Sequence, residues 1–305
     1  MEWQTFDSYV HKHNLALGKL GPLLREGSLT LFLGTGISMS SGKYPSWPSL
    51  VQSCTNELKF NKNIAANEPI NNLLKYMDEV RRKISDTAQY QKLVNKHLNA
   101  GAKLDYKDLA NNLLMSIGAL CMGSKRGSIT EVVTYNFDDL LEWYFALNGF
   151  VAQPVTDLPY LASGADVTVY HPHGFLPKLT KKNNAERFVF DQMSYEKTVG
   201  NRDDPWFVLC EQILLRKIAI FIGLSGKDPA MMTLVVRVHN SLNDKQQSRP
   251  VGFLLILDSE NLEKEYFLER GVIPLGFNNH SEIYEFLFKI CKKASEDMKQ
   301  PFFNG

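Results

Sequence analysis

The chain has 305 residues, 44% hydrophobic and 22% charged, which suffices for one large core, or one core with a smaller subdomain. Lys and Arg total 34 against 33 Asp and Glu, a formal charge of +1. No global field therefore favours nucleic acid or an anionic membrane, and neither is expected as a partner. The longest apolar runs, IAIFIGL from Ile218 and VGFLLIL from Val251, are strand-sized and too short to span a membrane.

In chain order, residues 1–27 read as a leading helical segment, broken or ended near Gly21-Pro22. A strand over Ser28–Leu33 runs into Gly34-Thr35-Gly36. Residues 48–128 carry apolar positions at helical spacing, such as Leu73, Leu74, Met77 and Val80, and no convincing strand, so they are expected to form a helical insertion. Further strands are predicted over Glu131–Thr134, Phe150–Val155, Val167–Tyr170, Arg187–Phe190, Ile218–Ile222, Val251–Leu257 and Val272–Leu275, and a closing helix over Glu282–Lys299. Strands alternating with helical patterns predict an α/β fold. A mostly parallel sheet covered by helices would span residues 28–305, with the helical subdomain inserted. Cys54, Cys121, Cys210 and Cys291 stand far apart, with no C-x-x-C pair to build a zinc ribbon. With no secretion-type start, the expected location is a reducing cytoplasm.

A strand followed by Gly-Thr-Gly can bring backbone N–H groups against a phosphate, because glycine has no Cβ to hold the ligand off. The dehydrogenase fingerprint needs a third glycine and an acid about 20 residues on, at the end of a second strand. Met39 stands at the third position, and the next acid, Glu57, falls in a helical pattern. Hydride transfer is disfavoured. Three other strands also end in polar clusters, Thr134–Asp138, His171–Gly174 and Gly223–Pro229. In an open α/β sheet these would meet beyond the carboxyl ends of the strands, in a solvent-lined crevice. Asp138 or Asp139, and Asp228 before Pro229, also suit helix caps. Asn136 precedes any such cap, at a strand tip, where its amide can orient a ribose hydroxyl or a water. His171 and His173 share one side at period two but lack a third metal ligand, which favours one catalytic and one structural histidine. Tyr195 and Trp47 read as core or lid residues.

The order GTGIS, TYNFD, HPHG and GLSGKD, with PSWPSL after the first, resembles the sirtuin-like NADase domains of bacterial antiphage defence proteins. The resemblance runs from about Leu31 to Asp228 and more faintly through Val251–Phe277. It implies a Rossmann-like fold with a helical subdomain after the first motif, NAD as substrate and no metal. Gly34, Thr35, Gly36 and Ser38 would cradle the phosphates and ribose of NAD. Asn136 and His173 match the family's catalytic Asn and His, Thr134 and Asp138 would support that Asn, and Gly223, Ser225 and Asp228 would contact the adenosine half.

Deacylating sirtuins carry paired zinc cysteines and G-I-P-D-F-R after the first motif, whereas this chain has G-K-Y-P-S-W-P. Water then becomes the expected acceptor, and the implied activity is hydrolysis of NAD to nicotinamide and ADP-ribose by a defence effector that depletes NAD when triggered. Two alternatives stay open: an NAD-dependent deacylase or ADP-ribosyl transferase, and a non-catalytic sensor of NAD or ADP-ribose. An unregulated NAD hydrolase would drain its own cell. A homo-oligomer and an activating partner protein or additional domain are therefore expected, with the insertion as the expected oligomer surface.

Overall fold

A computed structural model describes residues 3–60, 62–102, 109, 111–123, 127–179, 184–201, 203–224, 226, 228–244, 249–257 and 263–296. Seven strands form one sheet: β1 (Leu29–Leu33), β2 (Glu131–Thr134), β3 (Ala152–Val155), β4 (Val167–Tyr170), β5 (Ile218–Ile222), β6 (Gly252–Leu257) and β7 (Val272–Phe277). Their spatial order is β3-β4-β2-β1-β5-β6-β7, and every pairing is parallel. The sheet is thus wholly parallel among the described strands, in a Rossmann-like α/β fold. β1 lies between β2 and β5, in registers such as Leu31 beside Val132 and Ile220. The strand order reverses there, which opens a crevice at the carboxyl ends.

Why the sheet is buried on both faces follows from the strand alternation. Leu29, Leu31 and Leu33 of β1 enter one core with Val132, Ile220 and Ile222. Phe32 enters the opposite core with Val133, Ala219 and Phe221. The first core is closed by α1 (His13–Arg25), α6 (Asn112–Cys121), α7 (Leu140–Leu147) and α12 (His280–Glu296). The second is closed by α9 (Pro205–Arg216) and α10 (Pro229–Asp244), with Phe267 from the short α11 (Lys264–Leu268). The short α2 (Gly36–Met39) follows β1 directly, and α8 (Gln192–Gly200) precedes α9.

Between residues 48 and 128 the described elements are helices, chiefly α3 (Trp47–Glu57), α4 (Ile70–Lys83), α5 (Thr87–Leu98) and α6. Val51 and Cys54 of α3, Met77 and Val80 of α4, and Tyr90 and Val94 of α5 all join the first core. These residues of α3, α4 and α5 are therefore covered within the chain itself, whereas Met115 of α6 is exposed. No helix among the described residues is long and apolar enough to cross a membrane.

Two expectations need correction. Arg187–Phe190 is not a strand: among the described residues its one isolated bridge is antiparallel, between Phe188 and Gly174. Its apolar residues serve an aromatic cluster instead, with Phe188 and Phe190 against Phe137, and Phe190 against Trp47. Arg187 ties the segment down by donating to the Pro172 carbonyl and to Asp204. Nor does Gly21-Pro22 end the leading helix, which continues to Arg25. Gly21 is the point of closest approach to α12: a Cβ there would lie 2.6 Å from Cγ of Lys293. Two smaller shifts concern ends. β7 runs on to Phe277, and the closing helix starts earlier, at His280, while residues 297–299 lie outside the described residues.

A pair of substitutions separates these roles. Gly18, on the same helix, has nothing within 4 Å of a built Cβ, so Gly18→Ala is expected to raise stability by about 0.5–1 kcal/mol. Gly21→Ala is expected to lower it by about 1–3 kcal/mol, since α1 and α12 must separate. Urea denaturation of both variants checks the contrast.

Candidate active site

Two glycine turns meet at the tips of β1 and β5. The Gly34 N–H donates to the Ile222 carbonyl at 3.0 Å, and the Gly36 N–H to the Gly223 carbonyl at 3.2 Å. A Cβ on Gly34 would lie 2.4 Å from the Gly223 oxygen, and one on Gly36 2.8 Å from the Gly223 Cα. Both glycines are thus required by the approach of the two backbones. Gly223 itself has φ +68°, the left-handed region glycine tolerates. Beside these turns lies a cleft of about 580 Å³ lined by Gly36, Met39, Gly223, Leu224, Leu257 and Tyr284, among others. Ser225 lies outside the described residues.

On the other side of the first turn, α2 carries Ser38 toward the tip of β2. The Asn136 Nδ2 donates to the Gly34 carbonyl at 3.0 Å and to the Ser38 Oγ at 2.8 Å. Ser38 in turn donates to Asp138 Oδ2 at 2.7 Å, while Asp138 Oδ1 accepts from the Leu140 N–H and so holds the start of α7. Thr134 Oγ1 accepts from the Asn136 backbone N–H. A carbonyl can only accept, so the Gly34 oxygen fixes which amide atom faces it. The Asn136 Oδ1 is thereby aimed elsewhere, and it is buried with no partner among the described residues. A small cavity of about 20 Å³ adjoins this relay, lined in part by Thr35, Ser38, Tyr44, Tyr135, Asn136 and Asp138.

Burial pushes the Asp138 carboxyl up to about 6, against the hydrogen bonds from Ser38 and Leu140, with help from Glu142 and Asp139. Of the two aspartates either of which was expected to cap α7, Asp138 accepts the Leu140 N–H, while Asp139 makes no side-chain cap and accepts the Lys178 N–H.

His173 does not line the small cavity. Its ring lies against Tyr135 at 4.6 Å and Tyr195 at 5.2 Å between centroids, so Tyr135 stands between it and the Asn136 side. Burial lowers the imidazole to about 4, opposed by the nearby Asp228 charge; the ring is neutral at pH 7. Tyr195 donates its hydroxyl to Asp228 Oδ2, and Asp228 Oδ1 accepts from the Met231 N–H at the start of α10. Asp228 is thus a helix cap and a latch for α8, and it does not border the 580 Å³ cleft.

The expected solvent-lined crevice is closed around both candidate catalytic residues. Asn136 is 7% exposed and His173 3%. The segment from Tyr44 to Trp47 covers the first, and Tyr195 of α8 packs over the second. Neither cover could be read from strand tips alone.

His171 is held on both ring nitrogens, by the Asn136 carbonyl at 3.2 Å and by Glu142 Oε1 at 2.7 Å. It therefore anchors the Asn136 backbone. Among the described residues no group of three His, Cys, Asp or Glu side chains could hold a metal. Sequence reasoning missed Glu142 and Tyr44, and took Tyr195 for core or lid alone. Glu142 lies on an otherwise apolar helix, LLEWYFAL, and that lone acid on a buried helix was the available signal.

Residues 130–275 match the family model for the SIR2-like domain. No curated protein matches the chain. The matched segment begins at β2 and carries Asn136, His173, Gly223 and Asp228, and over it this chain is similar to the SIR2-like domain, which supports an NAD-related function.

Proposed function

We propose that the chain is an NAD glycohydrolase that converts NAD and water to nicotinamide, ADP-ribose and a proton. One observation carries the reading: the Asn136 amide is locked through Nδ2, leaving Oδ1 as a buried, oriented acceptor. An acceptor so placed suits the O–H of a ribose hydroxyl or of an attacking water.

Nicotinamide in NAD already carries positive charge, so it leaves with the electrons of its bond to ribose C1′ and needs no strong acid. The remaining work is positioning and exclusion of bulk water. Gly34, Thr35, Gly36 and Ser38 are proposed to meet phosphates and ribose, and Gly223 and Ser225 the adenosine half. The 580 Å³ cleft at the β1 and β5 turns has room for a nucleoside moiety. His173, neutral at pH 7, is proposed to act as the proton acceptor, taking a proton from a ribose hydroxyl or the water once substrate entry has opened its cover. Thr134 and Asp138 position Asn136. Asp228 is proposed to reach the adenosine half as well, from a position fixed by Tyr195 and the start of α10.

A closed site of about 20 Å³ beside Asn136 cannot admit a nicotinamide ring. Substrate entry must displace the Tyr44–Trp47 segment or α8, and this is where control by a partner protein, an additional domain or self-assembly would act. In the proposed defence role, in the cytoplasm, release of that closure would deplete cellular NAD. Chromatography of NAD incubated with the pure protein, alone and with an acylated peptide, tests the reading. Nicotinamide and ADP-ribose in equal amounts support it; peptide-dependent release of acylated ADP-ribose would establish a deacylase instead.

Asn136→Ala and His173→Ala are each expected to lower kcat by about 100-fold or more while cooperative melting persists. Ser38→Ala, which frees the Asn136 amide without removing it, is expected to fall between these and the wild type.

Two pH effects are expected. Below about 6, Asp138 becomes protonated; both of its oxygens accept, from Ser38 and from the Leu140 N–H, so the proton weakens one of these two bonds, and kcat should fall with acid through that pH. Asp138→Asn should abolish this limb at the cost of a lower plateau. For stability, His173 is depressed from 6.5 to about 4. Its contribution is present above 6.5 and lost as pH falls toward 4, amounting to about 2–3 kcal/mol. His173→Phe, which keeps a ring against Tyr135 and Tyr195, should lose less stability than the wild type across that window. Denaturant titrations at pH 7 and pH 4.5 read the difference.

A further inference from the structure

We infer that Tyr44 is the second half of a cradle for the attacking water, and hence a further catalytic residue. The inference rests on the hydrolase reading above. Tyr44 is 6% exposed, and its hydroxyl, like the Asn136 Oδ1, is buried with no partner among the described residues. Both side chains line the same cavity of about 20 Å³, whose other walls include Pro45, Trp47, Leu50 and Phe137. A buried water needs about 10–15 Å³ and two or more polar partners. This cavity offers that room beside two residues whose unpaired polar atoms are of complementary kinds.

The chemistry follows from donors and acceptors. Asn136 Oδ1 can only accept, so it takes one O–H of the water. The Tyr44 hydroxyl can donate to one lone pair of the water oxygen. Burial, with Asp138, Asp139 and Glu142 nearby, raises the phenol well above its ordinary range and keeps that proton in place. One lone pair and one O–H remain. The lone pair forms the bond to ribose C1′ as the bond to the nicotinamide nitrogen breaks, with its electron pair leaving on that nitrogen. The surplus proton passes to solvent.

Orphan buried polar groups are costly, and a buried phenol with no partner among the described residues calls for a function. Phenylalanine would fill the same space without the penalty. Tyr44→Phe is therefore expected to melt at or above the wild-type temperature.

The test separates leaving-group departure from water attack. Exchange of labelled nicotinamide into NAD reports cleavage and re-formation of the glycosidic bond without water. In Tyr44→Phe, hydrolysis is expected to fall about tenfold while exchange holds within about twofold. Equal loss of both, or no loss of hydrolysis, would overturn the inference and leave the hydrolase reading intact. If the wild type shows neither exchange nor hydrolysis, the hydrolase reading fails and this inference with it. Should the wild type hydrolyse without exchange, added methanol decides. A one-water cavity predicts methyl ADP-ribose below the mole fraction of methanol, and a rise in that share in Tyr44→Ala; an unchanged share would overturn the inference.

Discussion

The hydrogen bonds from the Asn136 amide to the Gly34 carbonyl and the Ser38 hydroxyl tie the tip of β2 to the turn after β1, and the rest of the site depends on them. They fix the amide's orientation. They also require Gly34 to sit where its carbonyl can be reached, which the backbone approach of Gly34 and Gly36 to Gly223 enforces. Beneath, Thr134 holds the Asn136 N–H and His171 holds its carbonyl, with Glu142 behind His171. Asn136 is thus restrained at its backbone N–H, its carbonyl and its Nδ2, leaving only Oδ1. Such restraint removes reorganisation cost at the moment of reaction.

Burial sets the protonation states that this chemistry needs. His173, against two tyrosine rings, is neutral and can take a proton. Asp138 sits near the edge of ionisation, so the donor and acceptor order of the relay depends on pH. The same burial closes the site. In the proposed hydrolase, entry of substrate would require movement of the segments that cover Asn136 and His173.

Much of this was legible in the sequence, because a parallel sheet writes its strands as short apolar runs and its site as the polar residues that follow them. Gly34, Ser38, Thr134, Asn136 and Asp138 were read this way, and they are in mutual contact. What was not legible depends on partners far along the chain. Tyr44 matters because of Asn136, Glu142 because of His171, and Tyr195 because of Asp228. Arg187–Phe190 alternates like a strand, yet its aromatic rings find Phe137 and Trp47 rather than a ladder. Gly21-Pro22 reads as a break, yet the glycine serves contact with α12 near the end of a helix that tertiary packing sustains. In each case packing overrode a local rule.

The account's central claim is that water is the acceptor delivered beside Asn136. A brief turnover of NAD in ¹⁸O-labelled water, followed by mass spectrometry of the ADP-ribose, tests it most directly. The account predicts one heavy oxygen on the terminal ribose of ADP-ribose, above the level that unlabelled ADP-ribose acquires under the same conditions. Nicotinamide release without that label, with the ADP-ribosyl group carried instead on an acyl or protein acceptor, would contradict it.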